Sequence, residues 1–537
     1  AAGTQDLGST SKEFRHLYLG DSGKAFFGLD QDVAIYNATN FHIEKTGTDG
    51  SGIRIHVPTN ESIEFQQAQA TVMATFTANG SCSLYNNTVK RIETSSTGIT
   101  VTGEVAASQD YPNYRPTLDL NFAAVKKLDP RITYYRTGPA SYVDEFGIVV
   151  LVGGNTPRFD HDPVTKESKG LLIEEARTNQ MIYSSDITGD TAQNGTITGN
   201  ATTAPDGTTT ADKYAANSTN GLHRVDLPFT SGQISNSTAY TFSVFVKANG
   251  YDKLHIRYGG YGADDHGLGY DFSDGTTFAG KYDGTSALGA VTSSSMIAYP
   301  NGWYRCSFTV TTASNATSGV CQIFYYISNS ESTTNFAGDG SSGMYFWGSQ
   351  MEAGSFVTSL IPTNGRTVSR GADQVTVEGT EFTDFYNDLE GTFVVSHSIL
   401  PEVPNAENCY VFEVSDGGAT HVAFRYNDVN SSFSNKPAFS SVYSSGLSAS
   451  MNATGTYTRG AIVKGAMTAK HNSFKATWNG ESVQTDTSGS IFGPGTTGQL
   501  AIGRYHPVAG YELNGHIQKM MYWPKQLSSN QLMTLTS

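Results

Sequence analysis

Short runs in which apolar and polar residues alternate recur along the chain, each closed by turn residues. TAYTFSVFVK (238–247), KLHIRY (253–258), WYRCSFTV (303–310), VCQIFYYI (320–327) and MYFWGSQME (344–352) form one group. Alternation with period two predicts antiparallel strands buried on one face, and five such runs in one segment predict a jelly roll. A second group follows: LEGTFVVSHSI (389–399), SFKATWNG (473–480), QLAIGR (499–504) and NGHIQKMMYW (514–523). These predict a second sandwich. Its close sets Ser528 three residues before Gln531, a capping box that predicts a terminal helix. Near the N-terminus the runs are thinner: IRIHV (53–57), TVMATFTA (71–78) and GITVTGEV (98–105). A region that buries so little apolar area per chain is expected to complete its core by self-association around an axis.

The fold class is therefore all-β and multidomain. The expected divisions are a thin β region at 1–106, an ordered connector at 107–185, a jelly roll at 186–365 and a second sandwich at 366–537. In the connector, FAAVKKL (122–128) predicts two helical turns and IVVLV (148–152) a buried strand.

Composition sharpens this picture. Of 537 residues only 15% are charged, while Gly reaches 57, Tyr 29 and Phe 28, which suits turn-rich β structure. The net charge is −15 and no Lys/Arg block or basic stripe occurs, so nucleic acid is excluded as an expected partner. The longest apolar run, 146–152, is far below the roughly 20 residues of a spanning helix, and no signal pattern opens the chain, so no membrane insertion is expected. Cys306 and Cys321 lie symmetrically about the loop 312–315. A hairpin there would oppose them as a cross-strand disulfide; buried free thiols are the alternative.

The runs LDLNFAAVKKLDPRITYYRTGPASYVDEFG (118–147), PRFDHDP (157–163) and KGLLIEEARTN (169–179) resemble a segment common in bacteriophage tail-fibre and head-fibre proteins. DLGSTSKEFRHLYLG (6–20) resembles a recurrent unit of trimeric phage fibres. The resemblance implies a virion fibre or spike, assembled in the host cytoplasm and displayed on the particle surface. It also implies a homotrimer mounted on other virion proteins through its N-terminal region. Its jelly roll and its concanavalin- or laminin-G-like C-terminal domain would bind host-surface glycan without catalysis. A purely structural capsid or tail decoration protein and a glycan depolymerase are the alternatives. The jelly-roll strand order also resembles carbohydrate-binding modules of the galactose-binding kind, which implies a structural calcium on Asp206, Asp212 and Glu352. An ordinary Asp-Gly turn at 206–207 is the other reading.

For ligand binding, the loop YGGYGADDHGLGY (258–270) combines five glycines with stacking faces at Tyr258, Tyr261 and Tyr270 and polar edges at Asp264, Asp265 and His266. A pyranose, with an apolar face and a hydroxyl rim, needs that combination. A hairpin tip whose tyrosines pack internally is the equal alternative. In the second sandwich Tyr505, His506 and Tyr511 flank a rim loop. The cluster Asp160, His161, Asp162 is read as tying the connector backbone, since it lacks the further ligands of a metal site. No nucleophile elbow, P-loop, zinc-protease helix or paired cysteine ligands occur, so no enzyme is expected.

Overall fold

In a computed structural model, residues 114–537 are described except 230–233, 260–264, 283–288, 317–320, 406–407, 417–419, 427–435, 444–445, 492–497 and 507–509. Before 114 the described residues are 11, 19, 24–27, 33–37, 41–45, 62–68, 71–86, 88–96, 98–102 and 112. The expected strand 53–57 lies outside them, as does most of 6–20. The chain forms two compact units, Ala1–Gln109 and Asp110–Ser537.

The first unit contains a three-stranded sheet (Lys24–Phe27, Val33–Asn37, Phe41–Lys45) and a five-stranded antiparallel meander. The meander runs Ser62–Ala68, Thr71–Thr77, Cys82–Asn86, Val89–Ser95 and Gly98–Val101 in sequence order.

The second unit holds two sandwiches. The jelly roll packs two six-stranded sheets around a core that includes Phe242, Val244, Ile256, Phe308 and Tyr325. Its longest strands, Ala239–Asn249 and Gly343–Ala353, pair along almost their whole length. The strand Trp303–Thr311 lies beside Ala239–Asn249, whereas Cys321–Ser328 belongs to the opposite sheet, between Arg224–Phe229 and Lys253–Gly259. The chain between them therefore crosses from sheet to sheet and makes no hairpin. Cys306 is a free, buried thiol, which corrects the disulfide expectation.

The C-terminal sandwich faces a seven-stranded sheet against an eight-stranded one, with Phe393, Phe412, Phe424, Phe439 and Trp478 between them. The region expected as a connector is built into it. Leu118–Asn121 and Ser168–Ile173 both pair with Gly515–Trp523, and Thr133–Tyr135 pairs with Gln374–Glu378. Leu118, Leu120, Leu171 and Ile173 are fully or almost fully buried in the same core as Phe393. Alternating apolar residues in these short strands need an edge to pair with, and the last long strand supplies it. The jelly roll is thus an insertion between early and late strands of one sandwich. The helix in this region is a single turn, Phe122–Val125, stopped by Lys126 in the left-handed conformation. The expected strand at 148–152 forms as Val149–Val152, with Leu151 exposed and Val149 buried. The terminal helix Ser529–Thr536 carries the capping box at Ser528 and Gln531.

A buried ionic network sits where the jelly roll leaves and rejoins this sandwich. Arg158 donates to Glu174 and to Asp373, each at 2.5 Å, and Arg370 lies 3.0 Å from Glu174. Tyr134 donates to Asp373 at 2.5 Å, and Arg136 lies 3.4 Å from it. The two arginines beside Glu174 hold its carboxyl well below the usual range despite burial.

Candidate functional site

The loop at 258–270 divides between core and surface. Lys253–Gly259 pairs with His266–Asp271, and Leu254, Ile256 and Tyr258 alternate onto the inner face. Tyr258 is 3% and Tyr270 0% exposed, and Tyr258 lies 5.5 Å from the Phe242 ring. Both tyrosines are core residues, so of the two readings of this loop internal packing holds for them and the stacking role does not. Asp265 accepts from Arg257 at 2.5 Å, and His266 Nδ1 lies 3.1 Å from the carbonyl of Ala290. Tyr261 and Asp264 lie outside the described residues.

The three carboxylates expected to hold calcium are not brought together. Asp206 accepts from the backbone and hydroxyl of Thr208, an Asx turn. Asp212 accepts from the backbone N–H groups of Ile187 and Asn200. Glu352 accepts from Gln350 and from both the N–H and hydroxyl of Thr358. On the strand Gly343–Ala353, Asp212 sits opposite Phe346, six residues from Glu352. At about 3.3 Å per residue that is roughly 20 Å, beyond the reach of one cation. Among the described residues no group of three or more His, Cys, Asp or Glu is placed to hold a metal. These residues do not fit the implied ion.

Asp160 and His161 line a cavity of about 120 Å³ between the jelly roll and the C-terminal sandwich, with Tyr299, Arg305, Glu402 and His516. Asp160 accepts from the Val143 N–H at 2.7 Å and from His516 Nε2 at 2.8 Å. His161 Nδ1 lies 3.1 Å from the Val143 carbonyl, a contact that makes Nδ1 the protonated nitrogen. Asp162 accepts from the N–H groups of Val164 and Thr165. Burial pushes the Glu402 carboxyl up, against the pull of Arg305 and Lys169.

The densest constellation brings the third prediction together with residues from other strands. Tyr505, His506 and Tyr511 belong to a loop closed by the Leu513 N–H donating to the Gly503 carbonyl at 2.7 Å. Gly503 has φ of 72°, and a Cβ there would lie 2.2 Å from Ile173, so glycine is required at this closure. The loop meets the strands Cys409–Ser415 and His421–Tyr426 on the outer face of the seven-stranded sheet. The Tyr410 ring lies 4.9 Å from Tyr505 and 6.1 Å from Tyr511, which are 6.0 Å apart. His421 sits 5.5 Å from Tyr505, and Arg425 donates to the Tyr410 hydroxyl at 3.2 Å. Tyr410 is buried, while Tyr505 and Tyr511 are half-buried.

Glu413 seats this loop. Its neighbours in the ladder are Ala423 and Ala501, so no bulky side chain competes for the space above it. One carboxylate oxygen accepts from the His506 N–H at 2.7 Å; the other is buried without a hydrogen bond, 3.7 Å from His421 Nδ1. Burial pushes the Glu413 carboxyl up to about 7. Burial and Arg504 push the His506 imidazole down, and its Nδ1 takes a hydrogen bond from Gln499 at 2.6 Å. The site thus combines aromatic faces, an arginine, a neutral imidazole and a carboxyl group that ionises near neutrality.

Sequence reasoning located the loop but missed Tyr410, Glu413, His421 and Arg425. The alternation in HVAFRY (421–426) does carry a signal: Val422, Phe424 and Tyr426 are core residues, which turns His421 and Arg425 to the outer face.

No family model and no curated protein matches this chain. Among solved structures, the CBM40 of Ruminococcus gnavus IT-sialidase bound to alpha2,6 sialyllactose shares 18% identity. The match covers 30% of this chain and 94% of that one, with a TM-score of 0.25. Mouse laminin alpha1 chain domains LG4-5 share 10% identity over 59% of this chain and 90% of theirs, with a TM-score of 0.20. The heptameric SAP-like pentraxin from Limulus polyphemus shares 10% over 28% and 70%, with a TM-score of 0.20. At such identities and scores these likenesses carry no function to this chain.

Proposed function

We propose that this chain is a non-catalytic, glycan-binding fibre or spike protein of a phage particle, and that it holds host-surface saccharide at Tyr505 and Tyr511. The observation that carries the reading is the tyrosine cluster: three rings within 4.9–6.1 Å of one another, edged by His421 and Arg425. Ring faces cover the apolar side of a pyranose, and the charged and imidazole groups meet its hydroxyl rim. The segment resemblance at 118–179 supports the virion setting, with the N-terminal region joining three copies and mounting them on other virion proteins. Single weak sites then gain through multivalency without new contacts.

A glycan array probed with the intact chain tests this reading. Saturable binding that is lost in Tyr505→Ala supports it, and binding that survives both Tyr505→Ala and Tyr511→Ala moves the site elsewhere. A second reading, hydrolysis of the bound glycan, has one observation in its favour. Glu402, its carboxyl raised by burial, and Asp160, paired with His516, line one cavity, a division suited to acid and base roles. Release of reducing sugar from host polysaccharide, abolished by Glu402→Gln, would establish it.

A further inference from the structure

The five-stranded meander of the first unit has two chemically distinct faces. Cross-strand partners place Phe65, Ala74, Leu84, Ile92 and Val101 in one row that crosses all five strands. Ile63, Phe76 and Cys82 form a neighbouring row on the same face, as do Thr94 and Ile99. These rows carry no charged side chain. The opposite face aligns Glu64, Thr75, Ser83, Glu93 and Thr100, and Glu93 pairs with Lys90 at 2.5 Å.

Burial runs the wrong way for a free-standing sheet. Ser83, on the polar face, is 4% exposed, whereas Phe65, Phe76, Leu84, Ile92, Ile99 and Val101 are 39–69% exposed. Among the described residues of the first unit nothing covers the apolar face. A β-sheet with one apolar face needs a second layer. From their exposures the six side chains leave roughly 500–600 Å² of apolar surface per chain, at the upper end of what a monomer shows in one patch. Each pair of copies that buries it covers about 1,000–1,200 Å², at the lower bound for a stable interface.

We infer that this face is the interface through which copies of the chain associate, each copy's apolar rows covered by those of its neighbours. An uncharged apolar surface is complemented by another of the same kind, and identical copies present the same rows without burying a charge. The inference deepens the self-association part of the proposed function, and its test reads mass instead of glycan, so either can fail without the other.

Light scattering on the full chain is expected to give a multiple of the 57.5 kDa chain mass. The double variant Leu84→Asp with Ile92→Asp is expected to return that mass to one chain, while Thr75→Asp on the polar face leaves the assembly intact. Cys82, exposed and within the rows, supplies a reading that needs no disruptive variant. A short bismaleimide is expected to join wild-type copies covalently, and Cys82→Ser to abolish the link. A wild-type chain that stays monomeric at every accessible concentration overturns the inference. If Cys82 in such a monomer also resists maleimide, the chain's own N-terminal residues cover the face. An oligomer that gives no Cys82 link and keeps its mass in the Asp double variant overturns it as well.

Discussion

Glu413 makes the loop that carries Tyr505 and Tyr511 sensitive to pH, in a direction fixed by its surroundings. The side chain is fully buried, one oxygen lacks a hydrogen bond, and its carboxyl is raised from 4.5 to about 7. The folded chain therefore keeps a proton that the unfolded chain releases above 4.5. Stability from this group is complete below 4.5, declines as pH rises, and is lost above about 7. At about 1.4 kcal/mol per pH unit, the interval corresponds to roughly 3 kcal/mol as an upper bound. Glu413→Gln keeps an acceptor for the His506 N–H but cannot ionise. Hydrogen-exchange protection of Cys409–Ser415 and Gln499–Ile502, followed from pH 5 to pH 9 in both proteins, reads the effect locally. After correction for intrinsic exchange, the wild-type strands are expected to lose protection relative to the variant as pH rises from 5 to about 7, by up to about a hundredfold, with no further relative loss above that. Parallel profiles for the two proteins would refute the reasoning, because they would mean that Glu413 ionises at no cost to the fold.

Three further outcomes follow from the same geometry. Arg158→Ala leaves Glu174 and Asp373 buried with a missing partner and is expected to destabilise the second unit by about 3–5 kcal/mol, read as a fall in its denaturation midpoint. Ser528→Ala removes the hydrogen bond to the Gln531 N–H and is expected to cost about 1 kcal/mol, read as faster exchange confined to Ser529–Thr536. Chelation with EDTA is expected to leave the thermal midpoint of the jelly roll unchanged, since Asp206, Asp212 and Glu352 have their own partners and stand apart; a lowered midpoint would restore the calcium reading.

Local pattern carried the strands and the terminal helix, because period-two alternation and a capping box are properties of neighbouring residues. It could not carry the role of 118–179. That role depends on Leu120 meeting Met520 and Leu171 meeting Ile517 across hundreds of residues, and no local period encodes such a pairing. The same limit explains the cysteines: symmetric spacing suits a hairpin, but the strands at 303–311 and 321–328 each found partners in different sheets. For Tyr258 the alternative of internal packing holds, and its own strand carries the signal. In KLHIRY it shares parity with Leu254 and Ile256, so it follows them into the core. The rim loop was legible because Tyr505, His506 and Tyr511 are close in sequence. Glu413 was not, because a lone glutamate in an apolar strand shows its importance only when the loop folds over it.

Binding of host-derived glycans by the intact chain, compared with its Tyr505→Ala variant at equal fold and assembly, tests the central claim most directly. Saturable binding by the wild type and its loss in the variant is the predicted result. Folded, assembled wild-type protein that binds no host glycan would contradict the claim and favour a purely structural place on the particle.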